Sequence, residues 1–149
     1  MPYKHVLAAV DLSDEAAQVL EKARAIADSH GAKLSLITVV KPFIQAYGGL
    51  DMVPLTKGSD SFEEDAFKRA SQQLWDKAII YRVDHADVHV KVGNPAREIR
   101  DAASGLEADL IVVGTHGRHG LGLLLGSTAN AVLHGVGCDV LAVRVRVSE

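Results

Sequence analysis

The chain has 149 residues, 48% hydrophobic and 23% charged, enough apolar mass to core one globular domain spanning residues 1–149. A formal net charge of −3 with no Lys/Arg cluster beyond a short RVRV argues against a nucleic-acid partner. No apolar stretch approaches the roughly 20 residues of a membrane span, and a lone Cys138 excludes an internal disulfide and fits a reducing compartment.

The opening MPYKHVLAAVD runs directly into a strand over 4–10. It lacks the basic segment, apolar stretch and cleavage site of a secretory signal, so a cytoplasmic location is the expectation. Ser13 is placed as N-cap of a first helix reaching about Ser29, with Asp14 and Glu15 in its first turn. Ala16, Leu20, Ala23 and Ala27 recur on its inner face, and Gly31 stops it. KLSLITVV, 33–40, is a β-branched second strand that Pro42 breaks. The connection 43–61 carries Phe43, Tyr47, Leu50 and Met52 among its glycines and prolines; a connection of this length is usually functional or mobile.

A second helix is predicted from Ser61 to Arg82, with Phe62, Ala66, Ala70, Leu74 and Ala78 inward and Trp75 and Ile79 beside them. Residues 84–92 alternate as a third strand, setting Val88, Val90 and Val92 against His89 and Lys91. Gly93, Asn94 and Pro95 turn into a third helix striped by Ala96, Ile99, Ala103 and Leu106. A fourth strand (109–113), a fourth helix (Ser127 to about Val136) and a last strand (139–147) complete the series. Strands alternating with helices imply a parallel sheet covered on both faces through right-handed crossovers.

In such a sheet ligands sit at the carboxyl ends of the strands. Three features converge there: Asp11 after the first strand, Val39 and Val40 ending the second, and DLIVVGTHGRHGLGLLLGST after the fourth. Asp11 suits a ribose hydroxyl or, less directly, a metal held through water, and backbone groups near Val39 and Val40 suit a base edge. Amides of Gly117, Arg118, Ser127 and Thr128 suit phosphates, because glycines admit close backbone approach and a helix start adds unpaired donors. Plainer roles remain open: a tight turn, an N-cap at Ser127, a helix cap at Asp11.

The loop is neither a Walker A motif, which would end in Gly-Lys-Ser/Thr, nor the dinucleotide fingerprint, whose glycines follow the first strand. Seven histidines, among them His116 and His119 in the loop, form no zinc spacing, so no metal site is expected. No nucleophile, base and orienting group can be assembled, so no catalytic residue is assigned.

As a set, YKHVLAAVDLSDEA, VGNPAREI, DLIVVGTHGRHG, LLLGSTANAVL and CDVLAVRV resemble the universal stress protein family over essentially the whole chain. The resemblance implies a Rossmann-like adenine-nucleotide-binding fold with a five-stranded parallel sheet in the order 3-2-1-4-5. It also implies a cytoplasmic, dimeric protein acting in survival under stress. One branch binds ATP through Gly-two residues-Gly-nine residues-Gly-Ser/Thr; the branch around universal stress protein A lacks those glycines. Here Gly114, Gly117, Gly126 and Ser127 match, but only eight residues separate Gly117 from Gly126.

The resemblance thus implies ATP, with Mg2+, as a regulatory ligand. The alternatives are a nucleotide-independent dimeric interaction protein, or a slow ATPase or autokinase modifying Ser127 or Thr128. In the family two last strands pair across a two-fold axis, which makes Val140, Ala142, Val143 and Val145 the interface candidates.

Overall fold

The computed structural model describes residues 2–42, 58–115 and 127–146, with backbone alone for 58–61 and 127–128. Strands β1 (His5–Ala9), β2 (Lys33–Val40), β3 (Val88–Val92), β4 (Leu110–Gly114) and β5 (Asp139–Val143) form one sheet in the order β3-β2-β1-β4-β5. Every neighbouring pair is parallel. The helices are α1 (Ala16–His30), α2 (Gly58–Ile80), α3 (Pro95–Leu106) and α4 (Ser127–Leu133).

Alternation along the strands divides the core in two. Val6, Ala8, Leu34, Leu36, Leu110 and Val112 face one side, where Leu20 and Ala23 of α1 and Leu74 and Ala78 of α2 cover them. Leu7, Ala9, Ile37, Ile111 and Val113 face the other side, under Ile99 and Ala103 of α3 and Ala129 and Val132 of α4. Both strand faces are therefore buried, which is why these strands are Val-, Ile- and Leu-rich instead of alternating with polar residues. The α/β class, the strand order and the two-faced cover all match the sequence expectation.

Several local expectations are corrected. Ser13 does not cap α1 with its side chain: the helix starts at Ala16, its N-cap position is Glu15, and the Glu15 side chain makes no cap bond. Asp14 and Glu15 consequently lie before the first turn, not in it. Helix α2 starts before Ser61, and Phe62 and Ile79 are 53% and 78% exposed, not inward. A short 3-10 turn, His85–Asp87, precedes β3, and Trp75 packs against His85 there, the rings tilted at 48° with centroids 4.5 Å apart. Helix α4 ends at Leu133, three residues short of Val136. Strand β5 ends at Val143 and not Val147: Val145 N–H bonds Thr115 Oγ1 at 3.2 Å, and Arg146 exchanges hydrogen bonds with the Gln18 side chain at 2.7 and 2.9 Å.

Helix ends behave as their chemistry dictates. Gly31 (φ 65°) closes α1, its amide reaching the carbonyls of Ala27 and Asp28. Asn94 Oδ1 accepts from Arg97 N–H at 3.0 Å to start α3, with Pro95 in the first turn as expected. Two arginines satisfy carbonyls at the ends of neighbouring helices. Arg24 reaches Tyr81 and Arg82 after α2, and Arg100 reaches Ala131 and His134 at α4, at 2.9 and 3.0 Å. Arg100 thereby fixes the axis of the helix that follows the glycine-rich stretch.

Candidate functional site

Register decides what meets at the carboxyl end of the sheet. Ala9 pairs with Ile37 and Ala8 with Val112. Two residues further along, the same register sets Asp11 level with Val39 and Val10 level with Gly114. Val10 N–H donates to Ile37 carbonyl at 3.0 Å, and the Thr38 hydroxyl donates to Val10 carbonyl at 2.8 Å. Both backbone groups just before Asp11 are thus tied to β2.

Asp11 itself is held locally. Its Oδ1 accepts from Ser13 N–H at 3.0 Å and from Ser13 Oγ at 2.7 Å. The residue between them, Leu12, has φ 64°, a left-handed backbone uncommon outside glycine, while its side chain packs against the α1–α2 core. Ser13, expected as a helix cap, instead donates to Asp11. An acidic residue two before a serine is the signal for such a turn, and here it competed with an equally good capping pattern. Thr38 carried no sequence signal, because a threonine inside a β-branched run reads as strand filler.

Val39 and Val40 differ. Val40 carbonyl accepts Gly93 N–H at 3.0 Å on the β3 side, and Ile37 carbonyl accepts Val10 on the β1 side. Peptide groups of successive strand residues point to opposite edges, so Val39 turns its amide and carbonyl toward the β1 edge, past the last paired residue of β1. A planar ligand with donors and acceptors on one edge fits Val39; the Val40 carbonyl is already engaged. Gly93, at φ 153°, makes that turn, and a Cβ there would come within 3.2 Å of the Glu98 side chain.

Gly114 closes β4 opposite Val143, and Thr115 N–H donates to Val143 carbonyl at 2.9 Å. Gly117, Arg118 and Gly126 lie outside the described residues, as do His116 and His119. Ser127 and Thr128 form the first residues of α4.

The remaining reactive groups lie elsewhere. Burial, with Asp139 and Asp109 adding to it, pushes the Cys138 thiol up, as befits an inert half-buried cysteine. His89 Nε2 is buried without a hydrogen-bond partner among the described residues, and burial, aided by Lys91, holds its ring below the ordinary histidine range. Among the described residues no group of three His, Cys, Asp or Glu side chains could hold a metal ion, and no helix is long and apolar enough to cross a membrane.

Comparison with known proteins follows the same lines. The family model described as "Universal stress protein family" matches residues 2–144. The chain belongs to the universal stress protein family. It is 40% identical to universal stress protein A homolog 1 of Coxiella burnetii over 143 residues, covering 96% of this chain and 97% of that one. The solved universal stress protein UspA of Lactobacillus plantarum superposes with a TM-score of 0.76 at 25% identity, covering 97% and 99% of the two chains. A universal stress protein solved in complex with cAMP has the same fold, with a TM-score of 0.62, 24% identity and coverage of 97% and 98%.

Proposed function

We propose that the chain works as a single universal stress protein domain, residues 1–149, binding ATP or a related adenine nucleotide with Mg2+ as a regulatory ligand. The observation that carries this reading is the level alignment of the held Asp11 carboxylate with the edge-facing backbone of Val39, where β4 runs into the glycine-rich stretch. Asp11 suits the ribose and Val39 the base edge, while Gly114, Gly117, Arg118, Gly126, Ser127 and Thr128 take the phosphates. The similar protein solved with cAMP supports a nucleotide of the adenine class. The Mg2+ would be met by phosphate oxygens and water, with Asp11 as an outer partner.

The test is thermal unfolding with and without millimolar Mg-ATP, beside a Gly117→Val, Ser127→Ala control. A ligand at about 100 times its Kd stabilises by roughly 2.7 kcal/mol, a shift of about 5–10 °C for a domain of this size. That shift, lost in the control, supports the reading. No shift at millimolar nucleotide removes it in favour of a nucleotide-independent interaction protein.

The protein acts, in this reading, as a cytoplasmic homodimer joined through β5. Both β3 and β5 are sheet edges, but β3 presents His89 and Lys91 whereas Val140–Val143 is uncharged, so β5 is the edge that invites pairing. Val140, Ala142 and Val143 are half-buried in the protomer; Val145, at 5% exposed, is already core and is dropped from the interface. Sedimentation of Val143→Lys decides: conversion of a dimer to a monomer supports the assignment, and an unaltered dimer sinks it.

A further inference from the structure

A carboxylate on a short side chain turns freely about two bonds, and a site that depends on it needs those turns fixed before ligand arrives. Asp11 is fixed in three ways. Ser13 places two donors on one oxygen, Oδ1, at 3.0 and 2.7 Å. Leu12 adopts φ 64°, which curls the chain tightly enough for Ser13 to reach back, and its side chain anchors the curl in the core. Thr38 and Ile37 hold both backbone groups of Val10 immediately upstream. A left-handed leucine is retained only where its surroundings over-determine it, and such strain marks functional positions.

We infer that Ser13 is a positioning residue that sets the site's selectivity for ribonucleotides over deoxyribonucleotides, by locking the Asp11 carboxylate through Oδ1. The inference rests on the nucleotide reading of the site, and on Asp11 meeting the ribose hydroxyls. A fixed carboxylate loses a hydrogen bond when the hydroxyl is missing and must then find water in a confined space. A carboxylate that swings can turn away, and it discriminates less. Ser13 does not touch the ligand in this arrangement, so its removal acts on the ratio of affinities more than on binding as such.

Kd values for Mg-ATP and Mg-2′-deoxyATP, measured by titration calorimetry, test this in the full chain. The wild type should prefer ATP by about tenfold, the worth of one lost hydrogen bond to a charged acceptor. Ser13→Ala should reduce the preference to about twofold, chiefly by weakening ATP, and Ser13→Thr, which keeps the hydroxyl, should restore it. Asp11→Asn should lower it as far as Ser13→Ala does. Because both nucleotides meet the same folded fraction, partial loss of folding leaves the ratio unchanged. A wild-type preference that survives in Ser13→Ala overturns the inference while leaving the nucleotide reading intact. Equal wild-type affinities, or a preference untouched by Asp11→Asn, overturn the ribose role of Asp11 and the inference with it; no binding of either nucleotide overturns the nucleotide reading itself.

Discussion

At the amino end of the sheet Asp109 reaches back over 104 and 105 residues, accepting the amides of His5 at 3.0 Å and Lys4 at 2.9 Å. At the carboxyl end Asp11 reaches two residues forward to Ser13. The same residue type begins or ends a strand in both places, with opposite consequences. Around Asp109 the bonds close the molecule. His5 Nδ1 faces Leu106 carbonyl at 3.1 Å, and since a carbonyl only accepts, that nitrogen carries the proton. In the neutral ring Nε2 then accepts from the Ser35 hydroxyl at 2.7 Å, deep under α3. Tyr3 adds a bond of 2.8 Å to Asp139, so β1, β2, β4 and β5 are all laced together there.

The carboxyl end is laced differently: Thr38 bonds Val10 and Thr115 accepts from Val145 across strands, and Gln18 of α1 ties down Arg146 after β5. Asp11 is held by Ser13, its near neighbour in sequence. An end built for stability satisfies its polar groups across the fold.

This contrast can be broken from either side. The largest effect belongs to Asp109→Ala, which strands two strand-end amides and should cost about 2 kcal/mol after solvent screening, a fall in Tm of about 4–8 °C without loss of ligand response. Burial raises the Asp109 carboxyl, but the amides of His5 and Lys4 outweigh it and hold the group below the ordinary carboxylate value. The sign follows: its stabilisation is present above the unfolded value near 3.9 and is lost as pH falls through the folded one. Wild type and Asp109→Ala should therefore converge in acid, and urea titrations at pH 7 and pH 3 would show it. If the gap is unchanged at pH 3, the carboxylate is not the closing element.

At the other end Thr38→Val removes the hydroxyl from Val10 carbonyl with almost no change in volume, and should cost about 1 kcal/mol. Unlike Asp109→Ala, it should also weaken nucleotide binding, since Val10 leads directly into Asp11. A stability loss with full nucleotide affinity would place Thr38 with the closing bonds instead.

The smallest effect is electrostatic. The His89 ring is held below the ordinary value, so its contribution to stability is complete above about pH 6.5 and declines as pH falls below it. His89→Phe should flatten the loss of stability between pH 7 and pH 5, and the His89 ring signals should titrate below those of an exposed histidine. A wild-type slope in the variant would assign that loss to another group.

The sequence was most legible where one short-range rule acted alone. Short continuous runs of Val, Leu and Ile, helical stripes such as Ala16, Leu20, Ala23 and Ala27, and the Gly31 stop needed nothing from the rest of the chain. Asn94 with Pro95 and the α/β alternation were equally self-sufficient. Asp11 and Val39 could be placed at the carboxyl end of the sheet for the same reason, since parallel topology puts every strand terminus of one kind on one side.

Tertiary structure decided whatever depended on competition or on distant partners. Ser13 had two local uses, capping α1 or bonding Asp11, and a left-handed Leu12 anchored in the core settled the choice. Val39 and Val40 are adjacent and chemically alike, yet only their neighbours β1 and β3 determine which edge each backbone faces. Phe62 matched the helical stripe and Ile79 lay beside it, yet both are exposed in the folded chain. The end of β5 was set by Thr115 and Gln18, far away in sequence. Propensity and periodicity are properties of a few consecutive residues, so the chain alone determines its elements and their order. Which polar group is satisfied by which partner is a property of the assembled sheet, and that is what separates its amino end from its carboxyl end.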